Sequence, residues 1–548
     1  MYKKISRAFP RISEAFLRIS RAFLRISRAF LRISRAFHQI IKFWPIATLL
    51  LITLISRIIN LEKLFYFTYD ESIPAFVGRR LILWYHIPLI GGATPFGFHL
   101  GPYFYWFYAA LLAVGRLNPL VWGYAATVIS VFTTLLMYIV GKNFGGKKVG
   151  ITAAVFWTFS YLANIYDRHL WALFWGPLTS LLVLFFLEKI ISGRQKFIYL
   201  LALTIGLSIH ADPSNIIFVI LAVFAFAYWK VSIKKNLSIL FAAIILFTLP
   251  LVAFDLRHDF ANIRPTAGFI KAGANTPAIR TQKFVTNSLL FPQAATRLVY
   301  TFGDNQVAKQ YSYCKNFVAE KFAATAQIFV FLSAFAILAF ILWSFKNRQS
   351  LWFLVSSLLL LYFLGIQIYG TILGGDIFEH YITGLFPAFL LITAFFVSKL
   401  PKKLWLVALG IFVAANLYKL SLAQNSQGLT EKREAIEYTM RQVGDKPFSL
   451  DSLSTCWKLN GYRYLFAVYG REPVKSYVDP NFAYLYGTTP VWDHHPATVV
   501  AFVVHDYAPE TQAFYQRYAL LKSHQISSSK FGSIEVIVMD NSTGWFDK

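Results

Sequence analysis

Charge is scarce in this chain, and acids are scarcest. Of 548 residues only 14% are charged, where a soluble protein carries about 25%. The chain is therefore not an ordinary soluble globule, and its apolar excess, 57% of all residues, must face lipid. Only two cysteines occur, Cys314 and Cys456, without CxxC spacing. That excludes a thiolate zinc site and a disulfide framework, leaving one bridge or two unpaired thiols. Acids number 26 against 53 Lys and Arg, a net charge of +27. A nucleic-acid partner is excluded by where the surplus lies: in the N-terminal arm and in short loops between apolar runs, the places that set membrane topology.

What is present in quantity is apolar sequence in blocks. Runs of about 15–22 apolar residues recur between Trp44 and Tyr418, near the ~20 that cross a bilayer. Short basic clusters separate them: Lys142/Lys147/Lys148, Lys189/Arg194/Lys196, Lys230/Lys234/Lys235, Lys346/Arg348 and Lys399/Lys402/Lys403. Basic loops stay cytoplasmic. The N-terminus is therefore expected inside, and the alternate loops outside. Parity makes the run at 102–115 surplus, a juxtamembrane helix on the outer side. The expected fold is an α-helical polytopic membrane protein of about eleven spans with a small C-terminal extracytoplasmic α/β domain. Its divisions are 1–42, 43–420 and 421–548, and its location is the cell (plasma or inner) membrane.

Residues 11–38 repeat a heptad, from RISEAFL to RISRAFH. On a helix, Ile12, Ala15, Phe16, Ile19, Phe23, Ile26 and Phe30 form an apolar stripe, with Arg18, Arg21, Arg25 and Arg28 toward the other side. Such a basic amphipathic helix lies in the membrane interface and takes anionic lipid as its partner. A coiled coil or a dispensable repeat are the other readings. In the tail, 435–443 reads as helix, and 448–451, 498–504 and 533–539 read as strands.

Ionisable residues avoid the middles of the apolar runs and gather at the expected outer ends. They include Asp70, Glu71, His86, His99, Asp167, Arg168, His169, His210, Asp212, Asp255, Arg257, His258, Asp376, Glu379 and His380. These are either solvated loop residues or one site assembled from several corners. The first outer loop carries most information. Asp70-Glu71 follows the first span, and about thirty residues later comes His99-Leu100-Gly101-Pro102-Tyr103-Phe104-Tyr105-Trp106. A carboxylate at the membrane surface can take a proton from an acceptor hydroxyl or hold a divalent cation.

These motifs, with Tyr166-Asp167-Arg168-His169, Phe254-Asp255-Leu256-Arg257-His258 and Glu379-His380-Tyr381 after them, make the chain resemble the GT-C superfamily of membrane glycosyltransferases. It is most similar to the branch of protein O-mannosyltransferases and aminoarabinose transferases, glycosyltransferase family 39 and its bacterial relatives. The resemblance covers residues 44–418. It implies inverting transfer of a hexosyl or pentosyl group from a polyprenyl-phosphate donor to an envelope acceptor (protein, lipid or polysaccharide) at the outer face. It makes Asp70 the general base or metal-linked carboxylate, Glu71 its support and Asp167 a second carboxylate. Arg168 or Arg257 would meet the donor phosphate, since guanidinium forks onto phosphate oxygens. His99, Tyr103, His258, His380 and Tyr381 would line the substrate site, and Asp70 with His99 would hold a divalent metal ion if one is used. Two departures stand out: Gly101 replaces a Pro or a charged neighbour, so no lysine–phosphate contact carries over, and His210-Ala211-Asp212-Pro213 is unexpectedly polar. The alternatives are a transporter or flippase for a lipid-linked sugar or polysaccharide, which would place its ionisable groups near mid-membrane, and a non-catalytic envelope scaffold.

Overall fold

A computed structural model describes residues 44–94, 97–265, 277–300, 324–375, 377–425, 428–453, 461–476, 478, 496–505 and 512–547. The heptad arm, Cys314, Cys456 and Asp376 lie outside the described residues. The chain divides into two compact units, Met1–Ile52 and Thr53–Lys548. Of the first only residues 44–52 are described, and they are helical. All contacts below belong to the second.

Helices occupy the apolar runs of the described residues. Among the described residues, seven are long and apolar enough to cross a membrane: Leu120–Gly145, Ala172–Ile191, Ile233–Arg257, Gln327–Lys346, Trp352–Ile372, Glu379–Ser398 and Lys402–Ser421. The runs at Trp44–Ile58 and Lys147–Phe159 and those near 200 and 220 form shorter helices. This is a multi-pass membrane protein. Within it, Ala172–Ile191, Trp352–Ile372 and Glu379–Ser398 are 67%, 61% and 72% buried over their most apolar windows, against 6%, 17% and 17% for Ile233–Arg257, Gln327–Lys346 and Lys402–Ser421. The first three are the protein-lined interior. The last three carry apolar side chains outward, where only lipid accommodates them.

Four helices precede the first long span, opening with α1 (Trp44–Ile58) and α2 (Leu61–Leu64). Helix α3, Tyr69–Trp84, starts where Thr68 and Glu71 stand in the spacing of a capping box. Glu71 Oε2 accepts from the Thr68 amide at 2.9 Å and its hydroxyl at 3.0 Å, supplying an acceptor at a helix end that has too few. Helix α4, Tyr103–Val114, is the surplus run. It packs on α3 at Gly78, where an added Cβ would sit 3.0 Å from Leu112 and 3.3 Å from the Ala109 backbone.

The chain from Leu429 onward folds around a five-stranded sheet. The strands are β1 (Phe448–Leu453), β2 (Lys475–Ser476), β3 (Thr498–Val504), β4 (Gln525–Phe531) and β5 (Ile534–Asp540), in the order β2-β1-β3-β5-β4. The first three are parallel, while β5 runs antiparallel to β3 and β4. Val499, Ala501 and Val503 face a core with Phe514 and Leu521, and Phe502 faces Tyr462 and Phe466 on the other side. With both faces covered, β3 is apolar throughout rather than alternating. Strands β2 and β4 and the helices Tyr462–Tyr469 and Gln512–Ser523 are elements beyond those expected from sequence.

This segment grips the loop that precedes α3. Lys432, fully buried, donates to the Phe67 carbonyl at 2.6 Å. Its ammonium also lies 5.1 Å from the Tyr462 ring centre. Ion pairs join Arg433 to Glu62 and Arg79 to Glu472, both at 2.6 Å. Tyr464 donates to the Leu117 carbonyl at 2.8 Å. Gly461, at φ +70°, leaves room for Phe67, whose ring edge would be 2.8 Å from a Cβ there. Lys432→Met removes the only charged donor reaching the Phe67 carbonyl among the described residues. Leaving a buried polar group unpaired costs about 1–3 kcal/mol. The expected outcome is a lower unfolding midpoint for this variant, with Lys432→Arg intermediate, measured on the detergent-solubilised protein.

Candidate active site

The polar groups at the helix ends converge in part. Asp70, in the first turn of α3, is half-buried. Burial, then the neighbouring Glu71 charge, push its carboxyl up to about 6, while His169 pulls it partly back. Glu71 is fully buried and forms an ion pair through Oε1 with His169 Nε2. The His169 ring stacks on Trp171 at 4.4 Å with 8° between planes. Trp171 meets His380 edge-on at 5.0 Å, and His380 in turn meets Tyr381 at 4.7 Å. Six predicted or neighbouring residues, from 70 to 381, thus share one corner: a carboxylate poised near neutrality, an acid–imidazole pair and an aromatic wall.

Asp167 stands on the other side of His169 in the sequence, and its surroundings are different. Its Oδ2 accepts from Arg57 Nε at 3.1 Å and Nη2 at 2.9 Å, and from the Ser130 hydroxyl at 2.5 Å. Arg57 also donates to the Thr158 and Trp157 carbonyls at 2.5 and 3.0 Å. Arg168 donates to the Ser56 and Ile59 carbonyls at 2.5 and 3.3 Å and to the Asn164 side chain. Both guanidiniums are buried and tie the end of the first helix to the 157–168 corner. A matching pair lies at the next corner: Arg297 to Glu379 at 2.5 Å, with Tyr166 donating to Glu379 at 3.1 Å.

A second polar group forms around the end of the first loop. His99 is clasped through its backbone by Asn262, at 2.6 Å to its amide and 3.2 Å from its carbonyl. The Asn262 amide in turn donates to Asp255 at 2.8 Å. Burial lowers the imidazole of His99. The Gly101 amide donates to His210 Nδ1 at 3.1 Å. A Cβ at 101 would fall 2.4 Å from that nitrogen, so only glycine fits here without a shift of His210. Burial lowers His210 to about 4, so the ring is neutral and free to accept. Tyr103 packs on His210 at 5.2 Å and donates to the Phe247 carbonyl at 2.9 Å. Asp212 is half-buried, its carboxyl raised by burial, and it caps the turn at Ser214.

Arg257 and His258 end the helix Ile233–Arg257 and are exposed. His258 bonds to the Phe254 carbonyl at 2.8 Å and stacks on that ring. No described contact ties either residue to Asp70. Among the described residues, no three His, Cys, Asp or Glu side chains are grouped as a metal ion would need. Arg57 and Arg297, which hold the two buried acids, were not anticipated. Arg297 sits in Ala-Ala-Thr-Arg-Leu-Val, and a lone charge in an apolar stretch is the signal that marks such a residue.

No family model and no curated protein sequence matches the chain. Solved structures do resemble it. ArnT from Cupriavidus metallidurans bound to undecaprenyl phosphate is 9% identical, with a TM-score of 0.52 over 90% of this chain and 97% of that one. The apo state of the same protein also gives 0.52 and 9% identity, over 91% and 98%. The Archaeoglobus fulgidus oligosaccharyltransferase in its apo form is 14% identical over 84% of this chain and 69% of that one, with a TM-score of 0.48. What the ArnT likeness establishes is architecture: this membrane protein shares the fold of ArnT over 90% of its length.

Proposed function

We propose that the protein transfers a sugar from a polyprenyl-phosphate donor to an envelope acceptor at the outer face of the membrane. The observation that carries the reading is Asp70: a half-buried carboxylate near pKa 6, set at a helix start against the Glu71–His169 pair. A base whose pKa lies near working pH is ionised yet still able to take a proton. The fold's likeness to ArnT, solved with undecaprenyl phosphate, supports a lipid-phosphate donor.

In this scheme Asp70 accepts the proton of the acceptor hydroxyl. The acceptor oxygen bonds to the anomeric carbon from the face opposite the phosphate. The carbon–oxygen bond to phosphate breaks, and its electron pair leaves with the polyprenyl phosphate. Glu71 fixes the helix start and His169. Asp167 acts as a positioning residue through Arg57 rather than on substrate, and Arg168 shares that task. Arg257, exposed at its helix end, is then the guanidinium that meets the donor phosphate. His99, Tyr103, His258, His380 and Tyr381 line the donor and acceptor approach. The N-terminal arm is proposed to hold anionic lipid on the cytoplasmic side, with the sheet segment on the opposite side.

The direct test reconstitutes the full chain in proteoliposomes with a set of radiolabelled polyprenyl-phosphate hexoses and pentoses and an extract of envelope acceptors. Label should leave the lipid fraction for at least one donor. Complete retention of label across the set, with folded protein present, would sink the proposal.

A further inference from the structure

Trp171 has a polar atom that the protein leaves unanswered. Its side chain is only 4% exposed, and its indole Nε1–H has no hydrogen-bond partner among the described residues. Indole offers a donor and no acceptor. Leaving such a group buried without a partner is costly, and the great majority of buried donors in native proteins are paired. Trp157 shows the same deficit, but it is Trp171 that belongs to the corner of Asp70. One face of its ring is covered by His169, held in turn by Glu71. Its flank is closed by His380. The backbone on both sides is fixed as well: the Trp171 amide donates to the His169 carbonyl, and the Phe174 amide to the Trp171 carbonyl, each at 3.1 Å. The ring therefore cannot turn to find another acceptor without breaking the stack.

We infer that Trp171 is a ligand-recognition residue whose indole N–H donates to an oxygen of the phosphosugar donor. The inference rests on the reading of the donor as a lipid-linked phosphosugar. His169 joins the two halves of the corner: its charge acts on Asp70 and its ring carries Trp171. A substrate oxygen at the indole therefore belongs to the molecule whose transfer Asp70 assists. The acceptor atom is a neutral or anionic oxygen, supplied by a sugar hydroxyl or by the phosphate.

Trp171→Phe keeps an aromatic ring for the stack and removes only the donor. In full-length protein in nanodiscs, binding is measured for polyprenyl phosphate and for the polyprenyl-phosphate sugar that the wild type turns over. The expected result is about tenfold weaker binding of the sugar-bearing lipid, the value of one hydrogen bond that is made only with ligand. The unfolding midpoint of the free protein should be unchanged or raised. Equal weakening for both lipids places the contact on the phosphate. Weakening confined to the sugar-bearing lipid places it on a sugar hydroxyl. If Trp171→Phe does not fold, Trp171→Met, which also lacks a strong donor, should show the same loss. Wild-type affinity of the folded variant for both lipids overturns the inference, since the indole would then face only a trapped water, and leaves the proposed function standing. Failure of the wild type to bind either lipid removes both.

Discussion

Asp70→Asn is expected to lower sugar transfer by about 10²–10⁴-fold, the usual worth of a positioned general base, while donor binding changes little. Asparagine is nearly the same size and remains compatible with a helix N-terminus, so the loss comes from chemistry rather than from folding. The pH profile carries the same prediction in a second form. With its carboxyl raised to about 6 by burial and by Glu71, Asp70 is charged above that pH and protonated below it. Transfer should therefore rise with pH through about 6 and flatten above it. Glu71→Gln removes a negative neighbour, which lets Asp70 ionise more readily and moves the rising limb to lower pH. It also weakens the hold on His169, whose charge favours ionised Asp70, so the shift measures which influence dominates. Initial rates in proteoliposomes across pH 4.5–8, chosen to bracket that value, check both. Equal turnover by Asp70→Asn and wild type would remove Asp70 from the mechanism.

The second large effect concerns the buried Arg57–Asp167 pair. Removing one partner of a buried ion pair strands the other charge and costs about 3–5 kcal/mol. Arg57→Met alone and Asp167→Asn alone should both lower the unfolding midpoint and the amount of folded protein in membranes. Arg57 makes five hydrogen bonds, to Asp167, Ser56, Thr158 and Trp157, so it is expected to be the more damaging loss. Replacing both, as Arg57→Met with Asp167→Leu, should recover much of the stability, because an apolar pair needs no compensation. This double variant also separates two roles for Asp167. As a positioning residue, its loss is partly repaired along with stability, and transfer returns. As a second catalytic carboxylate, its loss leaves transfer absent in a stable protein. The unfolding midpoint and the transfer rate, measured on the same preparations, decide between them.

Much of the helical layout could be read along the chain, because membrane burial is local information. A run of apolar residues long enough to cross a bilayer has few other stable outcomes, and helices lie where the runs at 120, 233, 352 and 402 begin. Asp70-Glu71 was legible for a related reason, since Thr68-Tyr-Asp-Glu is itself a helix-start pattern. The long helix Pro277–Val299 was less visible. It is not apolar enough to announce a span, and it lies in what reads as an outer loop. Among tail elements, β3 is apolar after Thr498, and β5 carries the apolar run Val536–Met539. By contrast, the exposed strand β4, Gln-Ile-Ser-Ser-Ser-Lys-Phe, carries little hydrophobic signal.

Sequence alone decided that this is a polytopic helical protein and that its ionisable residues collect at helix ends, since hydropathy and charge placement act through neighbours a few residues apart. Which of those residues meet was decided by tertiary packing. Arg57 reaches Asp167 across 110 positions, Tyr166 reaches Glu379 across 213, and Lys432 reaches Phe67 across 365. A hydrogen bond depends on distances of a few ångströms between elements whose order in the chain says nothing of their adjacency. For that reason an aspartate held by an arginine and one left to take a proton look alike until the helices are packed.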